Sequence, residues 1–207
     1  MRNLFIELHE CRGGDDQNRF GTGWEDLFTD QLAFYLACDG VAANAVAATL
    51  MGGMAVSVKE VMLQAATEDG QPDLCFQFTD GRRLMVENKI DAGLQPRQLE
   101  RYLKHGLVAL VSKRSMAVST ECLSHEGYMR PEPREHFFRE DIFRALPDPD
   151  EADPGLALLR RAFRSYMREL GFAPSNLAEK WRTPRLRWPA RASGDRACHR
   201  DRLCRCG

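Results

Sequence analysis

The chain is expected to fold as an α/β protein, a central mixed sheet of about four strands flanked by helices. Three observations predict it. Helical periodicity fills the chain before residue 52 and again after about residue 135. Between them, "DLCFQFTDGRRLMVENKI" reads as a β-hairpin with Asp80-Gly81 at its turn. A helical segment and a further apolar strand follow, so helices lie before, between and after the strands, which is the pattern of a sheet covered by helices.

Each element has its own signal. In "GTGWEDLFTDQLAFYLAC", Trp24, Leu27, Phe28, Gln31, Leu32 and Tyr35 recur at helical spacing, and Thr22 with Glu25 has the form of a capping box. "GVAANAVAATLMGG" is small and apolar and reads as a second helix ended by Gly52-Gly53. Val56, Val58 and Val61 to Leu63 mark a first strand. "DLCFQFTD" alternates, with Leu74, Phe76 and Phe78 on one face and Asp73, Cys75 and Gln77 on the other. "RLMVENKI" returns as its partner. "QPRQLERYLKHGL" is helical, with Pro96 allowed in its first turn, and "GLVALVSK" is a short buried strand. "REHFFREDIFRAL" and "GLALLRRAFRSYMRELGF" read as amphipathic helices separated by the loop "PDPDEADPG".

At 207 residues, with 43% apolar and 29% charged side chains, the chain can bury the core of one domain. No apolar run reaches the ~20 residues of a membrane-spanning helix. The first residues, "MRNLFIELHECRGG", carry acids where a secretory signal needs an apolar stretch. Four of the seven cysteines (Cys11, Cys38, Cys75 and Cys122) are scattered without a pairing pattern and read as reduced thiols. Together these predict a soluble protein in the cytoplasm, with no membrane partner. Charge is uneven: Lys180 to Gly207 holds nine Lys/Arg against two Asp, a net of +7, so a chain of net −1 leaves −8 on the rest. We divide the chain into a domain over 1–180 and a basic, disordered tail over 181–207. Cys198, His199, Cys204 and Cys206 in that tail could supply four zinc ligands, but their spacing matches no common zinc module.

The hairpin holds the chemistry. Glu87 and Lys89 stand two residues apart and so share one face of the strand. Whether Asp73 joins them depends on the turn. A two-residue loop would pair Leu74 with Glu87 and put that acid among the apolar residues. A three-residue loop, Thr79-Asp80-Gly81, pairs Phe78 with Arg82, Leu74 with Val86 and Asp73 with Glu87. The second register gathers apolar side chains on one face and unites Asp73, Glu87 and Lys89 on the other, and Gly81 suits the left-handed position of that turn. Two adjacent carboxylates repel unless a cation lies between them. Mg²⁺ is a hard ion that takes oxygen ligands and keeps several waters. Beside a phosphodiester it polarises the phosphoryl oxygens, and a neighbouring lysine adds a point charge. The same triplet could also be a solvated strand face with a cross-strand ion pair, or the charged edge of a small α/β adaptor.

The motifs resemble those of the PD-(D/E)XK nuclease superfamily: Pro72-Asp73, then Glu87-Asn88-Lys89, then Gln98 and Tyr102 in "QLERY", as in the RecB-like branch with its QxxxY helix. The resemblance covers roughly Glu25 to Leu110. It implies a restriction-endonuclease-like fold and Mg²⁺- or Mn²⁺-dependent cleavage of DNA, in repair, restriction or phage defence. It implies Glu25, Asp73, Glu87 and the Asn88 carbonyl as metal ligands, and Asp73, Glu87, Lys89, Gln98 and Tyr102 as catalytic residues. Gln98 and Tyr102 would position the lysine or contact DNA. No separate target-recognition domain is visible, so specific recognition would need a homodimer or a partner protein. The alternative is a catalytically inactive relative that binds nucleic acid or protein.

Overall fold

A computed structural model describes residues 3–12, 23–90, 92–113 and 115–174; the side chains of residues 9–12 and 23–25 lie outside that description. The elements run α1 (Leu4–Arg12), α2 (Gly23–Cys38), α3 (Gly40–Leu50), β1 (Val58–Leu63), β2 (Leu74–Phe78), β3 (Arg83–Lys89), α4 (Gln98–Leu103), β4 (Leu107–Ser112), α5 (Thr120–Leu123), β5 (Tyr128–Met129), β6 (Phe137–Phe138), α6 (Arg139–Ala145) and α7 (Pro154–Glu169). The sheet is mixed and open. Its strand order is β1-β2-β3-β4-β5, with β6 also pairing β4; β1, β2 and β3 are antiparallel, and β4 runs parallel to β3, β5 and β6. The sheet thus has six strands rather than about four. The two extra strands are two residues long, too short to show a period of 2, and β6 interrupts the stretch read as one helix from 134 to 146. Helix α4 also starts later than expected, leaving Pro96 in the preceding turn.

The hairpin register is the one with the three-residue turn. Leu74 pairs with Val86, Cys75 with Met85 and Phe76 with Leu84, and the Phe78 N–H donates to the Arg82 carbonyl at 2.9 Å. Gly81 has φ +88°, a conformation that costs an L-residue about 1–2 kcal/mol. The apolar face of the hairpin (Leu74, Phe76, Phe78, Leu84 and Val86) enters the main core with side chains of α2, α3, α6 and α7. The other face was expected to gather the polar residues. Instead Cys75 and Met85 lie in a second, smaller core with Leu99, Tyr102, Val108, Leu110, Cys122 and Tyr128. The crossover β3–α4–β4 brings α4 over it, and α5, in the connection from β4 to β5, adds Cys122. Both faces of β3 are therefore buried, as expected of a strand with a parallel neighbour under a crossover helix.

On the main-core side the helices are tied by aromatic and ionic contacts. Phe163 of α7 stacks on Tyr35 of α2 with ring centroids 4.3 Å apart, and meets Phe5 of α1 edge-on at 5.1 Å. Asp39 caps α3, accepting from the Ala42 N–H at 3.1 Å, and takes a bidentate bond from Arg160 of α7 at 2.7 and 3.1 Å. Tyr35 also donates to it, at 3.3 Å. Burial alone would raise the Asp39 carboxyl, but Arg160, the Ala42 N–H and the Tyr35 hydroxyl hold it below its ordinary range. Cys38, Cys75 and Cys122 are free thiols. Among the described residues no single helix is long and apolar enough to cross a membrane.

Removing one partner of a buried ion pair strands the other. Asp39→Ala should therefore lower the free energy of unfolding in urea by about 3–5 kcal/mol. The depressed carboxyl contributes stability above its ordinary value of 3.8 that is lost as pH falls below it, so the gap between wild type and Asp39→Ala should narrow in acid. Gly81→Ala meets no neighbour within 4 Å and should cost only the strain of positive φ, about 1–2 kcal/mol in the same titration.

Candidate active site

The candidate site forms where β2 begins and β3 ends, because antiparallel pairing sets these two ends together. Asp73 immediately precedes β2 and is half-buried. Its carbonyl accepts from the Gln64 N–H at 3.1 Å, and its Oδ2 accepts from the Asn88 N–H at 2.7 Å. Glu87 is 1% exposed. Its Oε1 meets Lys89 Nζ at 2.6 Å and Gln98 Nε2 at 2.8 Å. Its Oε2 is buried with no hydrogen-bond partner among the described residues. Lys89, with 13% of its side chain exposed, is the most open of Glu87, Asn88 and Lys89.

Helix α4 is docked on this pair through Gln98 and Tyr102, which share a face as i and i+4. Gln98 Nε2 also donates to the Tyr102 hydroxyl at 3.3 Å, and that hydroxyl donates to the Gln71 carbonyl at 2.9 Å. The Gln98 side-chain oxygen accepts from the Gln95 N–H at 3.1 Å. So both ends of the Gln98 amide are used, and the motif holds the glutamate at the oxygen that also faces the lysine. The loop from β1 to β2 is pinned to the same helix. His105 and Lys104 meet Asp69 at 2.8 and 3.1 Å. A tight turn from Thr67 to Gly70 lies against Tyr102, where a Cβ on Gly70 would come within 3.2 Å of the ring and would also be strained by φ +142°.

Asn88 lies between Glu87 and Lys89, so its side chain points to the opposite face. There its Nδ2 donates to Thr29 Oγ1 at 2.8 Å and its Oδ1 accepts from Arg139 at 2.9 Å. Thr29 and Arg139 escaped the sequence reading. Thr29 sits among the apolar positions of α2, and Arg139 follows Phe137-Phe138 in a stretch rich in charge, where a buried arginine reads like a surface one. Glu25 falls in the first turn of α2, but its side chain lies outside the described residues, as do Thr22 and the cysteine-rich tail, Cys198, His199, Cys204 and Cys206.

Burial, and then the neighbouring Asp73 charge, push the Glu87 carboxyl up to about 7, against the pull of Lys89 and Gln98. Among the described residues no three His, Cys, Asp or Glu side chains gather as a metal-binding group. What does converge is two carboxylates and a backbone edge: the N–H of Asn88 meets Asp73, and in an antiparallel ladder a residue's carbonyl leaves on the same edge as its N–H. Such an all-oxygen set, with an unsatisfied buried carboxylate oxygen, suits a hard ion that keeps several waters, and lacks the nitrogen and sulfur ligands of a structural zinc site.

No protein-family profile matches the chain, and neither curated proteins nor solved structures give a match.

The raised Glu87 carboxyl has a thermodynamic signature. Between the ordinary 4.5 and about 7 the folded protein keeps a proton that the unfolded chain has released. Stability of the metal-free protein should thus fall as pH rises through that window. Asp73 and Lys89 are the charged groups facing Glu87, and both remain in Glu87→Gln. Urea unfolding in EDTA at several pH values should show the extra decline in wild type and not in Glu87→Gln; parallel curves would place the proton elsewhere.

Proposed function

We propose that the chain is a metal-dependent nuclease of restriction-endonuclease-like fold, hydrolysing phosphodiester bonds of DNA in the cytoplasm. The observation that carries this reading is the buried Glu87 carboxylate, with Lys89 and Gln98 on one oxygen and nothing on the other, beside Asp73. A carboxylate left half-satisfied in a dry site is costly to a fold that does not use it. The mixed sheet and the helix carrying Gln98 and Tyr102 support the same reading, since both agree with the resemblance to the PD-(D/E)XK superfamily.

Asp73, Glu87 and the Asn88 carbonyl would hold Mg²⁺ or Mn²⁺. The bound ion would lower the pKa of a coordinated water and offset charge on the phosphoryl oxygens. Lys89 supplies a compact positive charge next to the acids and orients the attacking water or stabilises oxygen charge in the transition state. Gln98 keeps Glu87 turned toward Lys89, and Tyr102 keeps Gln98 in place through the Gln71 carbonyl. A homodimer or a partner protein would supply sequence recognition.

The test is cleavage of end-labelled single-stranded and duplex DNA with Mg²⁺, with Mn²⁺ and with EDTA. Cleavage should require the metal and vanish in Asp73→Ala and Glu87→Ala. Lys89→Met should bind Mn²⁺ as wild type does while losing most activity. Lys89→Arg should also fail, because a planar fork does not replace a point charge. An active Lys89→Met protein would remove Lys89 from the catalytic set. Metal-independent behaviour of wild type, with no cleavage at all, would favour an inactive binding module.

A further inference from the structure

Asn88 is an expensive residue for its position. It is 3% exposed on the main-core face of β3, with Leu74, Val86, Val111 and Ile142 around it, where a β-branched apolar residue would pack without polar cost. Its amide is satisfied at both ends, by Thr29 Oγ1 at 2.8 Å and Arg139 Nη2 at 2.9 Å. Arg139 is itself 0% exposed. Its guanidinium carbon packs against the rings of Phe28 and Phe172, 4.5 and 4.4 Å from their centroids, in the corner where those two rings meet edge-on at 5.1 Å. One of its donors, Nη2, is taken by Asn88. The same residue's backbone N–H holds Asp73 at 2.7 Å on the edge of the strand. One residue thus joins α2 and α6 to the acid pair.

We propose that Thr29 and Arg139 are positioning residues: they clamp the Asn88 side chain from the far side of the sheet and so fix its peptide, which sets Asp73 and the flanking Glu87 and Lys89. The inference rests on the nuclease reading. A strand end is where a sheet frays most easily, and β3 ends at Lys89. A side-chain anchor on the buried face holds that end without occupying the reacting face. Neither Thr29 nor Arg139 lies on the side where substrate would bind, so their loss should act on metal geometry and turnover and leave DNA affinity alone.

Thr29→Val removes the acceptor with almost no change of shape; Arg139→Met removes the donor, and Arg139→Lys restores a charged donor. In metal-free protein, the Asn88 amide should exchange faster in Thr29→Val and Arg139→Met, while amides of α3 and α7 keep their wild-type protection. Mn²⁺ affinity by calorimetry should fall about tenfold to a hundredfold, as for other partners of metal ligands. In cleavage, kcat should drop with KM for DNA unchanged, and Arg139→Lys should recover part of both losses. Thr29→Val, the milder change, keeps the test open should Arg139→Met fail to fold. Wild-type Mn²⁺ affinity and wild-type Asn88 exchange in Thr29→Val would overturn the clamp alone. A wild-type protein that binds no Mn²⁺ would overturn the nuclease reading, and the clamp's role in it.

Discussion

The register of the β2–β3 hairpin is the constraint on which everything else depends. With side chains alternating across a strand, a slip of one residue would carry Glu87 into the main core and Val86 onto the face under α4. The turn Thr79-Asp80-Gly81 opposes it: with Gly81 left-handed at φ +88°, the Phe78 N–H reaches the Arg82 carbonyl at 2.9 Å. Five apolar side chains of the hairpin then secure that register by their burial against the helices. Chemistry on one face is thus paid for by packing on the other.

Strand β3 carries polar groups on both faces, and the two sets do different work. On the α4 side, Glu87 is only half-satisfied, a state that weakens the apo fold but leaves an oxygen for a cation. On the α2 and α6 side, both the nitrogen and the oxygen of the Asn88 amide have a partner, so the residue adds rigidity there. Asp39 and Arg160 show a third solution: opposite charges paired bidentately within the helical layer, with no oxygen left over for anything else. The contrast separates a structural buried charge from one poised to bind something.

Much of this was legible in the sequence, for physical reasons. The turn type could be decided because only one loop length sorted the hairpin into an apolar and a polar face. Helices α2, α3 and α7 announced themselves by period or by small apolar composition, although Asp153 and Pro154, read as loop, are the N-cap and first residue of α7. The misses share a cause. Two-residue strands such as Phe137–Phe138 have no period to read, and the second core could not be foreseen because Cys75 and Met85 share their strand face with the polar Asp73, Gln77, Arg83 and Glu87. In the site, Asp73, Glu87, Lys89, Gln98 and Tyr102 come together as their motif spacing suggested. Thr29 and Arg139 were invisible, since their partner Asn88 is 59 and 51 residues away in the chain.

The position of the site follows from topology. Strand β3 has an antiparallel neighbour on one side and a parallel one on the other. The antiparallel side delivers the start of β2, and so Asp73, to the end of β3. The parallel side requires a crossover, and that crossover must leave from the same end of β3. Helix α4 is therefore bound to lie over the acids, which is why Gln98 and Tyr102, 11 and 15 residues after Glu87, can act on it. In open α/β sheets ligands gather at the carboxyl ends of strands where connections diverge in this way. A hairpin on one edge and a crossover on the other converge at one point of the sheet, and the chain has placed its unsatisfied carboxylate there.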